Sequence, residues 1–221
     1  MRLIWIILLL TVLSSASHAG AWPRDKGELF IAAGGNFLLS TGAELPVHYD
    51  PTVYGEYGLT DRLTLGLDFY TADKGRIASG FTFISVPVGS LQMRNRASVS
   101  LGYGYRLNPD ASTEALMRIG LSVGRGLNKG WLAADTSATF GTLDTIWRPK
   151  ADFTWGRSWS DRWTTTLQLQ TGEGYYDDYY AKISPTAIFS LSDRFKINLG
   201  AVKALTGDGG SAMKLETWLT F

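Results

Sequence analysis

Leu63-Thr64-Leu65-Gly66-Leu67-Asp68-Phe69-Tyr70 places apolar side chains at odd positions and small or polar ones at most even positions. Successive side chains of a β-strand point to opposite faces, so a period of two specifies a strand with two unlike faces. The pattern recurs. Trp163, Thr165, Leu167 and Leu169 alternate with Thr164, Thr166, Gln168 and Gln170. Val99, Leu101, Tyr103, Tyr105 and Leu107 form another odd-numbered stripe, as do Met117, Ile119, Leu121 and Val123. A chain written this way from end to end is all-β.

The strands are punctuated by one short phrase. "LTDRL" stands at Leu59–Leu63, "WSDRW" at Trp159–Trp163 and "LSDRF" at Leu191–Phe195. Each is apolar, Ser or Thr, Asp, Arg, apolar. Ser, Thr and Asp oxygens bond the local backbone and close tight turns, so the phrase marks strand-to-strand connections. Three similar turns point to architecture, with Asp and Arg solvating the turn. The remaining chain divides into strands near 28–39, 52–59, 63–70, 80–90, 96–107, 114–125, 131–141, 147–159, 163–171, 180–191, 195–203 and 212–221. That is about twelve, with no linker or second domain. Residues 81–88 are apolar on both parities and contain Pro87, and Pro149 and Pro185 fall inside other strands, where a missing N–H breaks the ladder. Ten strands is the fallback, with the fourth strand or 131–141 in doubt.

The first residues are set apart from this pattern. Met1-Arg2 is followed by an apolar run from Leu3 to Leu13, too short for a mature bilayer helix, and then by Ser17-His18-Ala19. This is the form of a secretory signal peptide. It assigns 1–19 to a removed leader, with cleavage after Ala19, and 20–221 to a single barrel domain. Arg2 leaves with the leader, so 21 basic against 20 acidic side chains become equal. That balance argues against nucleic acid as a partner. The chain has no cysteine, so an exported protein of this size must be held by something other than disulfides. A closed hydrogen-bonded sheet serves.

Strand count and connections suggest which closed sheet. If the first strand leaves the periplasm, each repeated turn falls between an even and an odd strand, on the periplasmic side. The polar stretches 40–51, 71–79, 172–179 and 204–211 then lie outside. Short inner turns and longer outer loops characterise bacterial outer-membrane barrels. Aromatics also gather near strand ends, with Trp155, Trp159 and Trp163 by an inner turn and Phe69 and Tyr70 near an outer loop. The expected fold is a single transmembrane antiparallel up-and-down β-barrel, its apolar stripe against outer-membrane lipid. The polar faces carry Glu56, Asp68, Arg106, Arg118, Asp135, Asp152, Lys182, Lys196, Lys214 and Glu216, assigned to the lumen. Both signs occur in similar number, so strong ion selectivity is not expected. The Gly, Ser and Thr beside them would leave space.

The chain ends Met213-Lys214-Leu215-Glu216-Thr217-Trp218-Leu219-Thr220-Phe221. This resembles the C-terminal signal of bacterial outer-membrane β-barrel proteins, with a terminal Phe and apolar residues at alternate positions. Phe221, Leu219, Leu215 and Met213 match, and Thr217 departs. The resemblance, to the small porin-like and transporter-like members, covers the chain in architecture. It implies that the barrel assembly machinery reads this strand.

Chemistry has few candidates. Enzymes of this class use a histidine beside a nucleophilic hydroxyl. His48 is the single histidine after the leader, placed by the sequence in the first outer loop beside Asp50, where an ordinary loop role is expected. Glu173-Gly174-Tyr175-Tyr176-Asp177-Asp178-Tyr179-Tyr180 sets acids between tyrosine pairs, read as an interface belt with a solvated tip. No catalytic, cofactor or metal residues are assigned. The sequence is read as a porin-like passage for small polar solutes. The alternatives are a non-channel structural or adhesive barrel and a His48-dependent lipid-modifying enzyme.

Overall fold

The computed structural model describes residues 20–39, 47–72, 75–91, 93–174, 179–206 and 210–221. Twelve strands run in chain order: β1 Leu29–Leu39, β2 Val47–Thr60, β3 Leu63–Ala72, β4 Ile77–Val88, β5 Asn95–Leu107 and β6 Thr113–Leu127. They continue with β7 Gly130–Gly141, β8 Trp147–Ser158, β9 Trp163–Glu173, β10 Tyr179–Ser190, β11 Phe195–Ala204 and β12 Ser211–Thr220. Each pairs antiparallel with its chain neighbours, and β1 pairs with β12 from Phe30↔Thr220 to Leu39↔Ser211, closing the barrel. Leu29 and Phe221 exchange backbone hydrogen bonds of 3.0 and 2.9 Å at the seam. Closure leaves no sheet edge, which is what a β structure needs in lipid.

Twelve strands replace the fallback of ten, since both doubtful strands pair along their full length. Pro185 does interrupt its ladder. Partners to β11 run to Ile183↔Lys203 and resume at Thr186↔Gly200, in unchanged register, while the ladder to β9 continues through Pro185↔Leu167. The proline thus costs local bonds without a bulge. Pro87 and Pro149 lie within continuous registers opposite Ser98 and Ala138.

The repeated turns sit together at the end that carries both termini. Ser160 Oγ accepts from the N–H groups of Arg162 and Trp163, at 3.4 and 3.1 Å, and Ser192 Oγ repeats this with Arg194 and Phe195, at 3.3 and 3.1 Å. Thr60 Oγ1 accepts from Arg62 N–H at 3.2 Å, beside an irregularity in register between Gly58 and Thr60. The hydroxyl closes each turn. The loops at the opposite end are shorter than the polar stretches suggested, because strands run into them. β2 begins at Val47, β3 ends at Ala72, β9 reaches Glu173 and β10 begins at Tyr179. Pairing also moves His48 from the expected loop into β2, opposite Leu38. At the terminus end, 89–94 is longer than the turns of the repeated phrase.

The outer surface is apolar. Leu65, Leu67, Leu101, Ile119, Leu121, Leu199 and Leu215 are all more than two-fifths exposed, far beyond the apolar patches of soluble monomers. Polar groups on this face bond to the protein. Thr136 Oγ1 donates to the Leu121 carbonyl at 2.9 Å, Thr217 Oγ1 to that of Ala33 at 3.0 Å and Thr171 Oγ1 to Tyr179 Oη at 2.8 Å. Thr217, the departure in the terminal strand, is accommodated this way. The odd parity of the apolar stripe is reversed in β4 and β7, where Ile84, Val86, Val88 and Leu132 face out. Trp155, Trp159 and Trp163 are exposed toward the terminus end, and Trp159 Nε1 donates to Thr165 Oγ1 at 2.8 Å. Phe69 and Tyr70 lie on opposite faces of β3.

Candidate functional site: the lumen

Inward parity brings together residues far apart in sequence. A cavity of about 380 Å³ inside the barrel is lined by Glu56, Asp68, Arg118, Asp135, Asp152 and Lys214 among the expected lumen charges. Lys150 joins them, although its strand parity alone could have placed it there from the sequence. Thr154, Thr166, Gln168 and Thr186 complete a polar wall.

Several of the charges are paired. Arg118 Nη1 lies 2.6 Å from Asp68 Oδ2, Lys150 Nζ 2.8 Å from Asp152 Oδ2 and Lys214 Nζ 3.2 Å from Glu216 Oε2. Glu216 also accepts from Trp218 Nε1 and from Asn198 Nδ2. Lys182 sits with its ammonium 5.1 Å from the Tyr180 ring centroid, on the inner face of β10. Lys196 lies on the inner parity of β11, opposite Trp218. Of the expected lumen set, Arg106, Lys182, Lys196 and Glu216 do not line this cavity.

Arg106 belongs to a separate cluster at the end opposite the termini. Its guanidinium reaches Glu114 Oε2 at 2.5 Å and Asn108 Oδ1 at 3.0 Å. Glu114, almost fully buried, accepts the Leu143 N–H at 2.9 Å, tying the 142–146 turn to β6. Asp144 in that turn bonds Arg148 at 2.7 Å. Desolvation opposes the Asp144 carboxylate, but the Ile146 N–H and the Arg148 and Arg106 guanidiniums outweigh it and hold its pKa below the usual carboxylate value. Glu114 and Arg148 escaped the sequence reading, because nothing in a lone strand indicates which acid meets which base.

A second feature was not legible in the alternation: one side of the lumen is aromatic. Phe81 and Phe83, the residues that made 81–88 apolar on both parities, point inward. Phe83 stacks on Tyr54 with ring centroids 5.9 Å apart, and the Arg118 guanidinium lies 4.1 Å from the Phe81 centroid. Phe30 meets Trp218 edge-on at 5.7 Å. Gly66 makes room for Phe83, since a Cβ there would come within 2.0 Å of its ring.

The third is the segment before β1. Gly20–Arg24 enters the barrel at the terminus end. Ser98 Oγ donates to the Gly20 carbonyl at 2.6 Å. Trp22 lies over Gly124, where a Cβ would fall 2.3 Å from the indole. Arg24 is 1% exposed; its Nε meets Glu56 Oε2 at 2.6 Å and its guanidinium covers the Phe30 ring at 4.2 Å. The segment therefore spans from β5–β7 to β2. The side chain of His48 and residues 175–178 of the acidic tyrosine loop lie outside the described residues. Of that loop, Tyr179 faces out, bonded to Thr171, and Tyr180 faces in.

No protein-family model matches the sequence, and neither does any curated protein sequence. The fold, by contrast, has clear counterparts among solved structures. The KdgM porin in complex with disordered oligogalacturonate superposes with a TM-score of 0.60 at 8% identity, over 88% of this chain and 99% of that one. An outer-membrane channel from Pseudomonas putida F1 gives 0.58 at 11% identity, over 94% and 100%. Outer-membrane phospholipase A from Escherichia coli gives 0.51 at 9% identity, over 90% and 94%. At such identities the likeness carries the fold: this twelve-stranded chain has the barrel fold of bacterial outer-membrane proteins, one found in both channels and a phospholipase.

Proposed function

We propose that the protein is an integral β-barrel of the bacterial outer membrane that passes small polar solutes, and that it is not an enzyme. The carrying observation is the pairing of an apolar outer face with an inner cavity lined by polar and ion-paired side chains. The neighbouring folds of two channels support it. In this reading 1–19 is a leader cleaved after Ala19, and Met213, Leu215, Leu219 and Phe221 present the final strand to the barrel assembly machinery. The expected lumen charges, Glu56, Asp68, Arg106, Arg118, Asp135, Asp152, Lys182, Lys196, Lys214 and Glu216, set the field inside.

The pairs Arg118–Asp68, Lys150–Asp152 and Lys214–Glu216 oppose each other's fields along the lumen. Unpaired rings of one sign select ions. Alternating pairs instead favour neutral or zwitterionic polar solutes and weak ion preference. Planar-bilayer recording on folded, heat-modifiable protein tests the passage. Discrete conductance steps with a reversal potential near zero in a salt gradient are expected. A silent bilayer from verified protein would overturn passage and favour a structural barrel, a reading to which the inward aromatics and Gly20–Arg24 lend weight.

A further inference from the structure

Asp135 and Asp152 stand directly opposite each other on β7 and β8, both on the lumen face. Like charges in that position repel. Each carboxylate has its Oδ1 buried without a hydrogen-bond partner among the described residues. Lys150 answers Asp152 at 2.8 Å. Among the described residues no side-chain cation makes an ion pair with Asp135. Gly20 and Ser122 lie beside its carboxylate in the wall of the cavity. The fit at Gly20 is close, since a Cβ there would lie 2.8 Å from Ser122 Oγ and 3.2 Å from Asp135 Oδ1.

Gly20 is also the residue that cleavage after Ala19 would leave as the amino terminus. A peptide N–H brings one neutral donor to this site. A free terminus brings three donors and a positive charge. An acidic pair short of one cation lies against the residue whose nitrogen cleavage would turn into one. The apolar run Leu3–Leu13, moreover, suits neither a polar lumen nor this position.

We propose that removal of residues 1–19 makes the Gly20 α-ammonium the counter-ion of Asp135, and that this ion pair locks Gly20–Arg24 across the lumen as a strap. The strap has two anchors. Arg24 with Glu56 holds one end whether or not the leader is cleaved. Gly20 with Asp135 holds the other only after cleavage. Between them Ala21 and Trp22 lie against Gly124, narrowing the terminus end. Processing thereby sets the width of the lumen. The proposal rests on export and cleavage and is independent of conduction.

The test uses full-length protein exported and purified from outer membranes. Mass spectrometry of the intact chain is expected to place the first residue at Gly20, and a start elsewhere would overturn the proposal. Amide hydrogen exchange over residues 20–28 then reads the strap directly. Two variants break the pair from opposite sides: Asp135→Asn, and a two-alanine extension between the cleavage site and Gly20, which moves the ammonium and spares the carboxylate. Both should exchange at least tenfold faster in the strap, with β9 and β10 unchanged as the check on folding. Faster exchange in Asp135→Asn alone would mean that the peptide N–H suffices, and unchanged exchange in both would mean that Arg24 alone holds the strap. Either overturns the ammonium's role, and neither bears on whether the barrel conducts.

Discussion

On β12, β1, β2 and β4 the lumen face carries Trp218, Phe30, Tyr54, Phe81 and Phe83, with Arg24 and Arg118 laid over the rings. On β8, β9 and β10, across the barrel, it carries Asp152, Thr154, Thr166, Gln168 and Thr186, with Ile188, and Trp131 of the adjoining β7, buried toward the terminus end. The first wall is a small packed core turned inward. The second is a polar surface. Barrels of about eight strands are filled by side chains, while those of sixteen or more hold a channel. Twelve strands lie between, and here the two solutions share one lumen, whose free space is lined by residues of both walls.

The sharpest way to break this contrast is to remove the centre of the aromatic wall. Phe83 is buried between Tyr54 and Gly66. Phe83→Ala should cost about 3–5 kcal/mol, the range for a large aromatic deleted from a packed site. Urea unfolding of the barrel in lipid vesicles reads this directly. Thr166→Ala on the polar wall should change the same midpoint by less than about 0.5 kcal/mol. Equal costs would mean that both walls are packed alike. The lipid face supplies a reference between them. Leu67→Arg places a cation near mid-strand against lipid and should cost about 2–4 kcal/mol.

The frame of this molecule was readable because an apolar outer face and a polar inner face impose a period of two. Leu63–Tyr70 states it, and the seam at Phe221 repeats it. What the alternation could not convey is contact across the lumen. Phe81 and Phe83 read as noise in a pattern of polar inner faces, because their partners are on other strands: the space left by Gly66 for Phe83 and the Arg118 guanidinium for Phe81. Thr64 shows the same limit. Its parity marks an inner residue, yet it is 1% exposed, with its hydroxyl accepting the Arg24 N–H at 3.3 Å, so it lies beneath the N-terminal strap and not in open lumen. The strap itself has no periodicity to find. Its signal is chemical: Ala21-Trp22-Pro23-Arg24, one residue past the expected cleavage point, is apolar and basic where a solvated stub would be polar.

Charge reversal separates the two clusters that parity had grouped. Arg106 is buried between Glu114 and Asn108, so Arg106→Glu leaves carboxylates facing one another without solvent and should destabilise by about 3–5 kcal/mol. Arg118 pairs with Asp68 beside the open cavity, with each side chain partly exposed. Arg118→Glu should cost about 1 kcal/mol, as for a solvent-screened pair, while shifting the reversal potential toward cations. A stable Arg106→Glu barrel would place that cluster in water, and an unmoved reversal potential in Arg118→Glu would take Arg118 out of the passage.

The smallest effect probes the polar wall most directly. Gln170 Nε2 donates to Gln168 Oε1 at 2.8 Å, and Gln168 Nε2 donates onward to Thr154 Oγ1 at 3.1 Å on the next strand. In a dry core, Gln168→Ala would strand two partners and cost about 1–3 kcal/mol for the groups left unsatisfied. Beside a hydrated cavity, water takes over both bonds, and the expected cost is below about 0.5 kcal/mol. The same truncation removes bulk from the lumen lining, so single-channel conductance should rise while the unfolding midpoint holds. A midpoint that falls as far as it does for Phe83→Ala would mean that the two walls are one core, and that the space between them is not a path.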